Sequence, residues 1–410
     1  MSAIEVAAAD PELELLLPDD DVDDPEVSIV IPALNEELTI VDFVRWCHEG
    51  LAEAGVVGEI LIVDSSSDAT SELAVREGAR VLRTPKRGLG RAYMDAIPYI
   101  RGRWIVMGDA DCTYDFRRLA PFVERFQAGD EYVMGSRWKG SIEPGSMPWL
   151  HQKLGTPVTT WILNRVYSSK FSDIHCGMRG ITRDALIRMD LQSQSWEYAS
   201  EMVLKSVHMG LRTSEVPVRF LKDREGRLSH HKRSGWFSPW QAAWINLRAM
   251  FVYGADFFVL KPGLIALALG LLLTVPLVGG PIDIGPVTLS LYWMLLGMAL
   301  TSIGLTAVLL GAIAQVLFDY TGRFKHRWLR ILPYTRTVFI SVALTLVGIG
   351  LLIPLVVSYF DNNFKLQSAI DYRDNMAVLG LTSILSAFLL FAFTLLLHGA
   401  VIATHRRRRR

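Results

Sequence analysis

The sequence predicts a two-part protein: an α/β domain built on a mostly parallel sheet, then an α-helical membrane domain of four spans. Three observations predict it. Up to about residue 235, short apolar runs alternate with helical patterns, as in a parallel sheet with crossover helices. Beyond about residue 260 the chain is mostly apolar, in four stretches that reach the roughly 20 residues a bilayer requires. Third, Asp109-Ala110-Asp111 follows the apolar run Trp104-Ile105-Val106-Met107. Side chains two apart on an extended backbone point the same way. Two carboxylates therefore leave a strand together at its C-terminal end, where open α/β sheets bind ligands. Such a pair repels itself and calls for a hard cation, Mg²⁺ or Mn²⁺.

The elements follow in order. Val27 to Ile31 reads as an apolar strand ended by Pro32, and Asn35-Glu36-Glu37 opens a helix to about Glu53. Glu59 to Val63 is a second strand, ended by Asp64-Ser65-Ser66-Ser67-Asp68. Asp68 stands before a short helix and reads as its N-cap. A short strand, Arg80 to Leu82, comes next, and Gly88-Leu89-Gly90 opens another helix. Lys86, Arg87 and Gly88 can offer cations and backbone N–H groups to a phosphate there, although Gly-x-Gly alone is not a dinucleotide fingerprint. After Gln127 the run Tyr132 to Gly135 is a strand leading to Ser136-Arg137.

The apolar stretches run approximately 262–280, 288–317, 338–360 and 376–404. The connection between the second and third holds Arg323, Lys325, Arg327, Arg330 and Arg336, and the tail after the fourth is His405 followed by Arg406 to Arg410. The connection 280–287 has no Lys or Arg, and 361–375 has only Lys365 and Arg373 beside three Asp. Positive segments stay cytoplasmic, so the α/β domain, the 318–337 loop and the C-terminus are expected in the cytosol. The basic tail, 405–410, suits anionic lipid heads or a simple stop-transfer anchor equally. Trp236, Trp240, Trp244, Leu247 and Phe251 recur at steps of three and four, which predicts an amphipathic interfacial helix over 236–260. Residues 1–26 carry many acids and no Lys or Arg; they read as a disordered acidic tail, not a signal peptide. The formal charge of zero, from 42 basic and 42 acidic residues, reflects that tail offsetting the basic loops and says nothing about partners; no nucleic-acid partner is expected. Cys47, Cys112 and Cys176 show no metal-binding spacing and are expected reduced.

With these residues in place, 27–232 resembles the family 2 glycosyltransferases of the GT-A (Rossmann-like) fold, and more closely the polyprenyl-phosphate (dolichol-phosphate) mannose and glucose synthases. The motifs that carry the resemblance are Val27 to Glu37 with its P-x-x-N-E turn, Ile62 to Thr70, Gly108-Asp109-Ala110-Asp111, Gly135-Ser136-Arg137, Asp173 to Gly180, Glu215-Val216-Pro217, and Arg224-Glu225-Gly226. Thr113 stands where mannose synthases often carry Gln.

The resemblance implies a GT-A domain over 27–235 and a membrane domain over 261–404. It implies donor contacts from Pro32, Asn35, Glu36, Asp64 and Asp109, joined by Arg87 and Gly88. It implies metal on Asp109 and Asp111, phosphate contact from Arg137, and acceptor contacts from Arg137, Lys153 and Arg224, with Arg179 and Glu201 as candidates for acceptor or sugar contact. Arg137 and Arg224 show no helix partner in the sequence. The expected reaction moves a hexose from a nucleotide diphosphate sugar to polyprenyl phosphate, with inversion and a divalent metal. Homo-oligomerisation through the spans stays open. A processive polysaccharide synthase would need a Gln-x-x-Arg-Trp motif, which is missing. The rival from a different class is a non-catalytic scaffold or lipid-linked-sugar flippase.

Overall fold

The computed structural model describes residues 10–147, 149, 151–167, 169–224, 226–227, 248, 251, 254, 256–317, 319, 323–365 and 372–407. The chain divides into two compact units, Met1–Tyr253 and Gly254–Arg410.

The first unit is built on strands β1 (Glu14–Leu16), β2 (Val27–Ala33), β3 (Gly58–Asp64), β4 (Arg80–Arg83), β5 (Trp104–Met107), β6 (Tyr132–Ile142), β7 (Arg179–Thr182) and β8 (Thr213–Phe220). They form one eight-stranded sheet in the order β1-β4-β3-β2-β5-β7-β6-β8. Only β1 and β7 oppose the rest in direction. The helices are α1 (Ile40–Glu53), α2 (Thr70–Arg76), α3 (Leu89–Ala96), α4 (Ala120–Gln127), α5 (Thr156–Tyr167), α6 (Arg183–Met189) and α7 (Tyr198–His208). Val27, Ile29, Val30 and Ile31 of β2 are fully buried, as are Phe43 and Val44 of α1. A strand apolar on successive residues has to be covered on both faces, as in parallel sheets. Each such side chain contributes about 1.5–3 kcal/mol by leaving water.

Three local expectations change. The first strand continues through Pro32 to Ala33, and Pro32 lies beyond the last pair with β5, Val30 with Met107, so no ladder donor is lost to that neighbour. The first helix begins at Ile40, not Asn35. Asn35 has φ 55°, and Thr39 N–H and Ile40 N–H both donate to Glu36 O at 2.9 Å, so Asn35 to Leu38 forms a turn. The acidic N-terminus is ordered from residue 10 onward. β1 pairs antiparallel with β4. Asp10 and Glu12 bond Arg87, Glu14 reaches Arg83, and Asp21 grips Arg101. Pairing with arginines at the sheet edge replaces the self-repulsion that would otherwise keep an acidic segment disordered. Residues 1–9 lie outside the described residues.

The second unit holds α8 (Lys261–Thr274), a two-stranded hairpin of β9 (Ile282–Ile284) and β10 (Val287–Leu289), α9 (Leu291–Leu317), α10 (Arg323–Ile331), α11 (Tyr334–Asp361) and α12 (Tyr372–Arg407). Four helical stretches, Phe257–Gly279, Leu291–Leu317, Arg323–Asp361 and Tyr372–Ile402, are long and apolar enough to cross a membrane. Large exposed side chains such as Leu272, Phe339, Leu346 and Phe388 suit lipid contact. Of the expected interfacial helix, Trp236, Trp240, Trp244 and Leu247 fall outside the described residues; Phe251 is exposed.

Candidate active site

The parallel core places β2, β3 and β5 in register, with Ala33 beside Asp64 and Val30 beside Met107. Their C-terminal ends share one edge of the sheet. The turn at 35–38, the loop after Asp64 and the Asp109–Asp111 pair therefore meet there. β6 leads to the same edge, and β7 leaves it, so Arg137 and the loop 173–178 join the group.

The first two loops are tied together. Asn35 N–H donates to Ser66 Oγ at 2.6 Å, and Asn35 Oδ1 accepts from Ser67 N–H at 3.0 Å. Glu36 N–H donates to Thr70 Oγ1 at 2.9 Å. Asp64 is buried; its Oδ1 accepts from Ser66 N–H at 3.0 Å and its Oδ2 from Ser71 Oγ at 2.5 Å. Asp68 Oδ1 accepts from Thr70 N–H at 3.0 Å, but the N-cap position of α2 falls on Ala69, one residue later than expected.

At the end of β5 the chain turns sharply, with Cys112 at φ 59°. Asp111 Oδ1 accepts from Thr113 N–H at 2.9 Å and from Thr113 Oγ1 at 2.6 Å. Its Oδ2 lies 3.3 Å from Arg227 Nη1. Arg227 is a residue that the sequence reading missed. Its side chain is only 3% exposed, and it forks onto Glu36 with two bonds of 2.7 Å and onto Asp223 at 2.8 Å. Arg227 thus sits among three carboxylates. Burial pushes the Asp111 carboxyl above its usual range, in spite of Arg227 and the Thr113 bonds. Gly177 approaches Asp109 so closely that a Cβ there would stand 2.6 Å from Asp109 Oδ2. Gly177 N–H is held by Tyr114 Oη at 2.8 Å.

These groups fit a divalent cation of the hard class. Among the described residues no cluster of three or more His, Cys, Asp or Glu could hold an ion alone. Two carboxylates at a sheet edge are the usual protein share of a Mg²⁺ shell, with phosphate oxygens and water supplying the rest. A cation there also relieves the cost that burial imposes on Asp111.

Arg137 and Arg224, which show no helix partner in the sequence, are paired with distant carboxylates. Arg137 is buried and makes a two-pronged pair with Asp173, Nε to Oδ2 at 2.7 Å and Nη2 to Oδ1 at 2.8 Å. Its guanidinium lies over the Phe220 ring at 5.3 Å. Arg224 bonds Asp42 and the Leu38 carbonyl. Sequence shows no partner for either because Asp173 and Asp42 are brought in by the fold. Nearby, His175 bonds Thr159 Oγ1 at 2.9 Å, and burial lowers its imidazole to about 4.

Other expected contacts prove structural. Arg179 is buried, donating to Cys176 O at 2.6 Å and Ala199 O at 3.2 Å. Glu201 is fully buried against Lys205 and accepts from Gln192 N–H and Ser193 N–H at 3.0 and 2.8 Å. Both hold loops in the interior instead of facing a ligand. The loop that Glu201 holds covers the start of α3: Arg91 N–H donates to Gln194 O at 3.0 Å, and a Cβ at Gly88 would lie 2.4 Å from that oxygen. The phosphate cradle expected at Gly88 is thus occupied by carbonyls, and Arg87 is paired with Asp10 and Glu12. Lys153 is exposed, beside a cavity of about 480 Å³ that Trp138, Trp161 and Asn164 also line.

Comparison with known proteins decides the family. Residues 28–189 match the model of glycosyl transferase family 2, and 312–400 match that of the glycosyltransferase family 2 C-terminal transmembrane region. The low-salt glycan biosynthesis hexosyltransferase Agl6 of Haloferax volcanii is 36% identical over 307 residues, covering 75% of this chain and 72% of that protein. The chain belongs to the family 2 glycosyltransferases. Glycosyltransferase AglJ of the same organism is 29% identical to this transferase over 203 residues, 49% of this chain and 64% of AglJ. Among solved structures, glucosyl-3-phosphoglycerate synthase from Mycobacterium tuberculosis, in complex with Mn²⁺, UDP and glucosyl-3-phosphoglycerate, is 17% identical with a TM-score of 0.42, over 56% of this chain and 80% of that one. The transferase is thus an integral membrane glycosyltransferase related to the Haloferax volcanii hexosyltransferase Agl6.

Proposed function

We propose that this membrane transferase moves a hexose from a nucleotide diphosphate sugar, of the GDP-mannose or UDP-glucose type, to polyprenyl phosphate at the cytosolic leaflet, with a divalent metal and inversion. The observation that carries this reading is the Asp109–Asp111 pair at the C-terminal sheet edge of a chain that also has four membrane spans. A soluble acceptor would not call for the spans. The acceptor phosphate is already ionised at neutral pH, so it needs no strong base.

Asp109 and Asp111 would hold Mg²⁺ or Mn²⁺, which when bound supplies positive charge to the leaving diphosphate. Asn35, Glu36 and Asp64 shape the wall of the donor side and hold the loops that line it. Pro32 lies in β2, one residue before the strand ends at Ala33. Arg137, fixed by Asp173, presents a rigid cation, and Arg224 and Lys153 add exposed ones, to hold the acceptor phosphate in line with the anomeric carbon. A phosphate oxygen then bonds to that carbon as its bond to the donor phosphate breaks. One displacement of this kind inverts the centre. Arg87 is kept from the donor by Asp10 and Glu12 in this arrangement.

The test is a screen of radiolabelled nucleotide sugars against the purified protein with polyprenyl phosphate, with lipid extraction as readout. Label should enter the lipid phase with one donor and should disappear in Arg137→Ala, while donor binding by calorimetry changes little. If no nucleotide sugar labels the lipid, the transfer reading fails. If donor affinity falls in parallel with transfer, Arg137 belongs to the donor side.

A further inference from the structure

The helix α10 lies between two membrane spans and is too short to cross a bilayer itself: nine residues rise only about 14 Å. Its ends are tied to α9 and α11, so it has to lie at headgroup level. Its sequence is Arg-Phe-Lys-His-Arg-Trp-Leu-Arg-Ile, without an acid. At helical spacing Arg323, His326, Arg327 and Arg330 fall within roughly 100° of arc, and all four are exposed. The opposite face is anchored. Trp328 is buried with Ala312 and Val316 of α9 and Leu397 and Val401 of α12, and Phe324 and Leu329 pack against the same cluster. Trp328 Nε1–H donates to Gln315 Oε1 at 2.5 Å, and Lys325 N–H to Asp319 Oδ2 at 2.7 Å. Arg336, exposed in the first turn of α11, extends the basic surface.

We infer that the outer face of α10 is a binding surface for the headgroups of anionic phospholipids. The apolar side fixes the helix backbone against the spans, so binding has to order only the exposed side chains. Guanidinium forks match phosphate oxygens in pairs, and a fixed row of them at the headgroup layer favours acidic over zwitterionic lipid. The inference needs only that the chain is embedded in a membrane and stands whether or not sugar transfer is as proposed.

The experiment uses the full-length protein purified in detergent, titrated separately with phosphatidylglycerol, phosphatidylcholine and inorganic phosphate. Native mass spectrometry counts bound lipid. Wild type should retain phosphatidylglycerol and not phosphatidylcholine, and inorganic phosphate at equal concentration should not displace it. Arg327→Gln with Arg330→Gln should weaken phosphatidylglycerol binding by about fivefold per arginine at low salt. Arg327→Lys with Arg330→Lys should keep part of it, because charge is preserved while the bidentate fork is lost. An unchanged elution volume and Trp fluorescence show that the variants remain folded. Equal retention by the Gln variant, or equal binding of phosphatidylcholine, overturns the inference; displacement by inorganic phosphate shows a site for free phosphate instead.

Discussion

Replacing Arg227 by Met strips the shared counterion from three carboxylates. Its guanidinium carries two bonds of 2.7 Å to Glu36 and contacts of 2.8 and 3.3 Å to Asp223 and Asp111. Arg227 and Glu36 are 3% and 4% exposed at their side chains, so water cannot take over. Breaking a buried pair by removing one partner costs about 3–5 kcal/mol, because the remaining charge is stranded. At roughly 2–4 °C per kcal/mol for a domain of this size, the melting temperature should fall by about 10 °C. The assay is thermal unfolding of the purified protein followed by Trp fluorescence. Glu36→Gln alone should also destabilise. The double variant Glu36→Gln with Arg227→Met should lose less than the sum of the two, by about 1–3 kcal/mol, since neither partner is then stranded. Mn²⁺ should restore more stability to Arg227→Met than it adds to wild type, because Asp111 then lacks its resident cation. A melting temperature within 2 °C of wild type, or strictly additive losses, would refute the reasoning that this network holds the sheet edge together.

Asp111→Asn should lower turnover by about a hundredfold or more, the scale of losing about 3 kcal/mol of charge stabilisation in the transition state; a chelator should reproduce it, and wild-type rates in chelator would remove the metal from the scheme. A cysteine placed in 281–287 should react with an impermeant reagent from outside intact cells and one in 323–330 should not, given the Lys and Arg of α10; the reverse pattern inverts the topology. His175 binds its proton less readily folded than unfolded, about 4 against 6.5, so its contribution is fully present above pH 6.5 and is lost as the pH falls toward 4. His175→Gln should flatten the drop in melting temperature across that window, and an unaltered profile places the titration elsewhere.

The domain that binds and the domain that anchors were both legible in the linear sequence, for a local reason. A strand such as Trp104–Met107 shows itself by four apolar residues in a row, and a span by about twenty. Asp109 and Asp111 were legible by their place just after an apolar strand, but the extended spacing expected of them does not hold: β5 ends at Met107, and Ala110 and Asp111 lie in the turn beyond it. The start of α1 was misread because Asn35 adopts φ 55°, a backbone state that a string of Asn and Glu does not announce. Ion pairing was not legible at all. Arg227 meets Glu36 across 191 positions, Arg137 meets Asp173 across 36, and Arg87 meets Asp10 across 77. In sequence a structural arginine and a ligand-binding arginine carry the same charge. Which of them is buried against a carboxylate depends on where distant loops converge, and for Arg179, Glu201 and Arg227 only the tertiary structure decided that. The sequence alone determined that carboxylates would stand at a sheet edge and that the chain would cross a membrane. The folded sheet decided which charges remain available there, because electrostatic partners are chosen by distance in space.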